Sequence, residues 1–297
     1  MTSGFPASQT DTPSRSTTSL AATVLATATL VALLVLLFSY VLSDLAHDWW
    51  TEPELSQGML IPPLAALTVW AERKRLMLVP AATDPFGLVL LAFGCGIYLL
   101  GRLASEFFLM RLSFVVVLTG LIWTFWGRRR LRQLTFPILL LTTMIPLPAV
   151  VYNTLAAPLQ LFASEFATAV AQALGVSAFR DGNIIQLANI SLGVAEACSG
   201  LSCLSALLIG SLLLGYLLDL GTSGRILLVV LAVPLAILVN VVRVAGTALL
   251  ADYNERLALG FYHAFSGWLV FVGGSLALYV LASVIRKLTL WSDNHAA

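Results

Sequence analysis

Apolar and polar positions are segregated along this chain in whole segments. After a Ser- and Thr-rich opening, the sequence enters the run LAATVLATATLVALLVLLFSYVL, from about Leu20 to Leu42. Further apolar runs lie near 58–71, 86–104, 107–126, 134–151, 201–219, 226–248 and 265–285. Runs of about 20 residues, wound as helices, match a hydrocarbon core about 30 Å thick. Single strands do not serve, because backbone groups unpaired in lipid cost several kcal/mol each, and a closed barrel would show alternating segments of about ten residues. The pattern therefore predicts an all-α, polytopic membrane bundle of about eight spans. The first run is too long for a signal-peptide core and is read as a retained span. The second is short and holds Pro62-Pro63, so it is expected to tilt, kink or re-enter.

One long stretch, from about Tyr152 to Ala197, is not read as a span. Its first half, NTLAAPLQLFASEFATAVAQAL, has apolar residues at helical spacing and is expected at the interface or dipping into the bundle. In its second half, Asp181-Gly182 is a turn signal between short β-prone runs. It predicts a small extracytoplasmic hairpin leading into Cys198. The organisation expected is a disordered cytoplasmic tail over 1–18, a multi-span membrane domain over 19–287 and a short cytoplasmic tail over 288–297.

Composition agrees with the pattern. Hydrophobic residues make up 59% and charged residues 10%, with a mean hydropathy of +0.93. A soluble domain carries roughly 25% charged residues, so most of this surface faces something other than water. No basic, aromatic-interleaved stretch is present, and the formal net charge is +1; a nucleic-acid partner is set aside. With the N-terminus inside, eleven basic residues fall on the cytoplasmic side, including the clusters Arg73-Lys74-Arg75 and Arg128-Arg129-Arg130 with Arg132. Five fall outside: Arg102, Arg111, Arg180, Arg243 and Arg256. The excess inside sets the orientation.

On that orientation, three reactive or ionisable side chains on different spans share the outer membrane level. Cys198, in Glu196-Ala197-Cys198-Ser199-Gly200-Leu201, stands where an apolar helix begins, and a helix N-terminus favours the thiolate. Arg243 sits near the outer end of an apolar helix, with Asn240 on the same face. His263 stands where the last outer loop enters the final span. Taken singly they read as a small buried thiol, a snorkelling arginine and an interfacial histidine. Together, Cys and His form the minimal nucleophile–base pair for acyl transfer, and Arg is a donor for the oxyanion. That is the chemistry of a cysteine peptidase or transpeptidase.

These residues, in order, resemble the exosortase/archaeosortase family of membrane transpeptidases. The resemblance runs through Pro146-Leu147-Pro148 with Asn153, Leu159-Gln160, the Gly175 and Gly182 region, the Val194–Leu201 element, Asn240-Val241-Val242-Arg243 and His263. Trp49-Trp50, Leu55-Ser56-Gln57-Gly58 and Leu60-Ile61-Pro62 are similar to the family's outer-loop element. The resemblance implies that Cys198 is the nucleophile, that Arg243 stabilises the oxyanion or thiolate and that His263 shuttles protons. Glu196 and Asn240, with Ser199 and Gly200 beside the thiol, are supporting candidates. It implies a site facing the periplasm from a bacterial inner membrane, with both termini cytoplasmic. The substrates would be exported proteins with a C-terminal sorting signal (PEP-CTERM-like), passed to an acceptor nucleophile in connection with exopolysaccharide production or surface display. Two positions depart from the family: Gln57, where members often carry His, and Ser202-Cys203, where a basic residue plus Ser is commoner.

Two rival classes follow from the same residues. A thiol–disulfide oxidoreductase would use Cys198 and Cys203, but five positions on a helix separate them by about 140° around the axis. A transporter would use Asn240 and Arg243 as an anion site, but no internal repeat is evident. No cofactor is called for, and no metal: the three histidines, His47, His263 and His295, form no ligand motif.

Overall fold

Prolines and helix-competing hydroxyls cut the apolar runs into the helices that form. The computed structural model describes residues 25, 28–52, 55–188, 190–194, 201–258 and 263–296. Its packed residues fall into two compact units: the chain up to His47 with Ala81–Leu131, and Asp48–Pro80 with the chain from Arg132 onward.

In the first unit, α1 (Ala28–Leu37) and α2 (Ser39–Thr51) meet at a bend of 66°. The Ser39 hydroxyl donates to the Leu36 carbonyl at 2.9 Å, a bond that competes with the helical ladder at the bend. Phe38, at the bend, is fully buried and meets Tyr98 and Phe114 edge-on at 5.1 and 5.4 Å. α4 (Phe86–Leu103) carries buried Gly87, Gly94 and Gly101 seven residues apart; a Cβ at any of them would crowd Thr124, Val117 or Met110 of α5 (Phe107–Gln133). Small residues at that spacing let two membrane helices approach closely. The glycine rather than its neighbour makes the contact, and Cys95 is exposed, not packed. Arg111 is buried and its Nη2 donates to Asp44 Oδ2 at 2.6 Å.

In the second unit, a 3₁₀ turn (Ser56–Leu60) leads into α3 (Ile61–Leu78). α6 (Thr135–Thr142) is followed by an irregular segment and then α7 (Ala149–Ala173). Three antiparallel strands follow, β1 (Ala178–Asp181), β2 (Ile184–Leu187) and β3 (Ser191–Gly193), in the order β1-β2-β3. The expected hairpin is therefore present, turning at Gly182 (φ 62°), with a third strand added. α8 (Leu201–Leu217), α9 (Thr222–Tyr253) and α10 (His263–Ala296) complete the unit and pack on one another. Two cores hold it. Ala163 and Ala167 of α7, Ile185 and Leu192 of the sheet and Val244–Ala251 of α9 form one; Leu207, Leu228, Ala232 and Leu278 of the last three helices centre the other.

The chain is thus an all-α multi-pass bundle carrying one small sheet; the expected count of eight spans is not confirmed. Among the described residues, four helices are long and apolar enough to cross a membrane: α4, α5, α9 and Phe265–Thr289 of α10. The bent α1–α2 pair, taken as one, makes a fifth, and α8 is a shorter apolar helix. The expected span over 134–151 is instead the eight-residue α6, about 12 Å long, and a break. Pro146 and Pro148 explain it: each lacks an N–H, and each pushes the residue before it out of the helical region.

Candidate active site

α9 carries a buried Asn240 and a half-buried Arg243. Asn240 and Arg243 lie three residues apart and therefore on one face of the helix. Asn240 is only 4% exposed, and among the described residues neither its Oδ1 nor the Arg243 Nε has a hydrogen-bond partner. Asn240 borders a cavity of about 10 Å³ with Leu159 and Ala163 of α7 and Leu204 of α8, at the lower bound for holding one water. The Arg243 guanidinium lies against the first turns of α10: a Cβ on Gly267 would stand 3.5 Å from its Nη2 and 3.7 Å from its Cζ.

His263 is the first residue of α10, four before Gly267 and so about 6 Å along the axis from it. Cys198, Glu196, Ser199 and Gly200 lie outside the described residues. α8 starts three residues after Cys198, at Leu201, and Leu204 on its first turn reaches the Asn240 cavity. One turn of α9 thus touches both the beginning of α8 and the beginning of α10.

A second feature stands on the other side of α8. An open groove of about 320 Å³ runs between the 3₁₀ turn, the break after α6, the start of α7 and the first turns of α8. Leu204 borders this groove as well as the Asn240 cavity. Gln57 lines the groove, and its Nε2 donates to Ser205 Oγ, whose hydroxyl donates in turn to the Ser202 carbonyl at 3.0 Å. Trp49 builds the wall: its Nε1 donates to the Met144 carbonyl at 3.3 Å, and its indole covers Gly58 so closely that any Cβ there would overlap the ring. The position needs glycine for space, not for dihedral freedom.

Sequence reasoning passed over Ser205 and the break at 143–148. The available signals were Ser202 and Ser205, three residues apart at the start of an otherwise apolar helix, and the paired prolines at 146 and 148. Cys203 packs beside the core of the last three helices.

A comparison with curated proteins and with solved structures finds no match. The family model described as transmembrane exosortase (Exosortase_EpsH) matches residues 49–280, well over half of the chain and reaching from Trp49 through the Asn240–Arg243 turn and the start of α10. The chain belongs to the transmembrane exosortase family.

Proposed function

We propose that this protein is a cysteine transpeptidase of the bacterial plasma membrane. It cuts C-terminal sorting signals of exported proteins at the outer face and passes the new carboxyl end to an acceptor. The observation that carries this reading is the Arg243 guanidinium set against the helix that His263 opens, within a chain of this family. A cation half-withdrawn from water is worth more to a developing negative charge than one fully solvated.

The steps balance as follows. The Cys198 thiolate adds to the scissile carbonyl, and the electron pair displaced onto oxygen is held by Arg243. The tetrahedral species collapses to a thioester as the C–N bond breaks, and the His263 imidazolium protonates the leaving amine. The acceptor then gives its proton to the neutral imidazole and attacks the thioester, forming the new acyl bond and releasing the thiolate. Asn240, one turn from Arg243, would orient the guanidinium or donate to the scissile carbonyl once substrate is bound; Glu196 is an orienting carboxylate for His263 or Arg243, and Ser199 and Gly200 flank the thiol.

The test is processing of a co-expressed protein bearing a C-terminal sorting signal from the same genome. Wild type is compared with Cys198→Ala, Arg243→Ala and His263→Ala at matched expression. Arg243→Ala is expected to cost roughly 10²–10³ in turnover, and Cys198→Ala to leave only precursor. Processing by Cys198→Ala at the wild-type level ends the reading.

A further inference from the structure

The groove beside α8 has a composition that the cysteine chemistry does not call for. None of its lining residues carries a formal charge. Several donors of its wall are spent internally. The N–H groups of Thr143, Met144 and Ile145 bond to the carbonyls of Leu140, Leu141 and Thr142 at 3.1–3.3 Å, and Pro146 has none. The hydroxyls of Thr142 and Thr143 donate to Leu139 and Leu140 at 2.6 and 2.7 Å, and that of Ser205 to Ser202. The break is non-helical backbone, tolerated at membrane depth where it lines a cavity or is buried in protein. These N–H groups and hydroxyls are engaged within the wall and are not offered to a ligand.

Gln57 supplies the complementary group. With one N–H of its amide given to Ser205, its carbonyl oxygen and second N–H remain. That pair is the counterpart of one peptide unit, which offers an N–H and a C=O side by side. The groove is also within reach of the reacting thiol by covalent geometry alone: Leu201, on its wall, is three residues from Cys198, so their Cα atoms are at most about 11 Å apart. Its volume stands at the low end of small-ligand sites, roughly 300–1,000 Å³, which suits a few residues of chain and not a folded domain.

We propose that this groove binds an uncharged stretch of the sorting signal as an extended strand next to the scissile bond, with Gln57 pairing one of its peptide units and Ser205 holding the Gln57 amide in place. Gln57 is then a specificity-determining residue that reads backbone shape and the absence of charge. The inference rests on the transpeptidase reading for the identity of the ligand, not for the chemistry of the wall.

The experiment uses the full-length protein in lipid nanodiscs with Cys198→Ala, so that binding is read without turnover. The probe is a fluorescent synthetic peptide of the C-terminal sorting signal of a co-encoded exported protein. Gln57→Leu is expected to weaken binding at least tenfold and Ser205→Ala several-fold. A peptide N-methylated across the residues flanking the scissile bond, and one with Lys or Asp placed there, should each bind at least tenfold more weakly to the protein with Gln57 intact. The N-methylated peptide needs no change in the groove, so the test survives if Gln57→Leu fails to fold. Equal binding of methylated and unmethylated peptides, or full affinity in Gln57→Leu, overturns the groove assignment while processing by the wild-type enzyme leaves the transpeptidase reading standing. If the wild-type enzyme neither binds nor processes the peptide, both fall.

Discussion

Replacing Asn240 with Leu separates what that residue does for the fold from what it does for the site. Leu has the same heavy-atom branching as Asn but no polar atoms. Asn240 is 4% exposed, and its Oδ1 is unpartnered among the described residues. A buried polar group left without a partner costs about 1–3 kcal/mol, and the apolar replacement removes that term. The small cavity beside it, bounded by Leu159, Ala163 and Leu204, gives the new methyl groups some room. Asn240→Leu is therefore expected to raise the thermal unfolding midpoint in detergent. At roughly 2–4 °C per kcal/mol for chains of 150–250 residues, the rise is about 2–12 °C. The same change removes the polar neighbour of Arg243, and misplacing a catalytic group by an ångström costs up to about 10²-fold in rate. A more stable, less active protein is the signature. A midpoint that stays put or falls refutes the orphaned amide, and unchanged processing refutes the positioning role.

Gly58→Ala should lose about 1–3 kcal/mol through the overlap with Trp49, read as a lower unfolding midpoint, and should impair processing by distorting the groove wall. At Gly267, Ala fits the 3.5 Å approach of Arg243, whereas Leu does not; Gly267→Ala should process normally and Gly267→Leu poorly, at similar expression. Arg111→Met should destabilise the first unit by about 3–5 kcal/mol, because it leaves Asp44 without its partner, and Asp44→Leu in the same chain should restore most of it; the paired unfolding curves decide this. Cys203→Ser should retain processing, and its loss would revive a dithiol mechanism.

How much of this was legible in the sequence depended on distance along the chain. Local patterns read well. Asp181-Gly182 marked the hairpin, and the structure turns there with Gly182 at positive φ. The three-residue spacing of Asn240 and Arg243 placed them on one face of one helix. The span expected over 134–151 did not form because hydropathy averages over breaks: the run stays apolar through Pro146 and Pro148 although the helix stops at Thr142. Gly94 and not the adjacent Cys95 meets α5, since one step along a helix turns a side chain by about 100°. The Gln57–Ser205 pair joins residues 148 positions apart, and no periodicity carries such a contact; only the two serines on the first turns of α8 hinted at a polar side.

The length of α8 has a consequence for the lipid. Its 17 residues make about 25 Å of helix, some 5 Å less than the hydrocarbon core of an average bilayer. Its residues from Leu201 to Tyr216 are buried or half-buried, so the longer α9 and α10 packed against it meet most of the lipid, where mismatch costs a fraction of a kcal/mol per ångström. The thiol proposed to react lies three residues before Leu201 in the sequence. Acyl-chain length thereby becomes a variable of the proposed reaction, since bilayers of different thickness set different depths for Leu201.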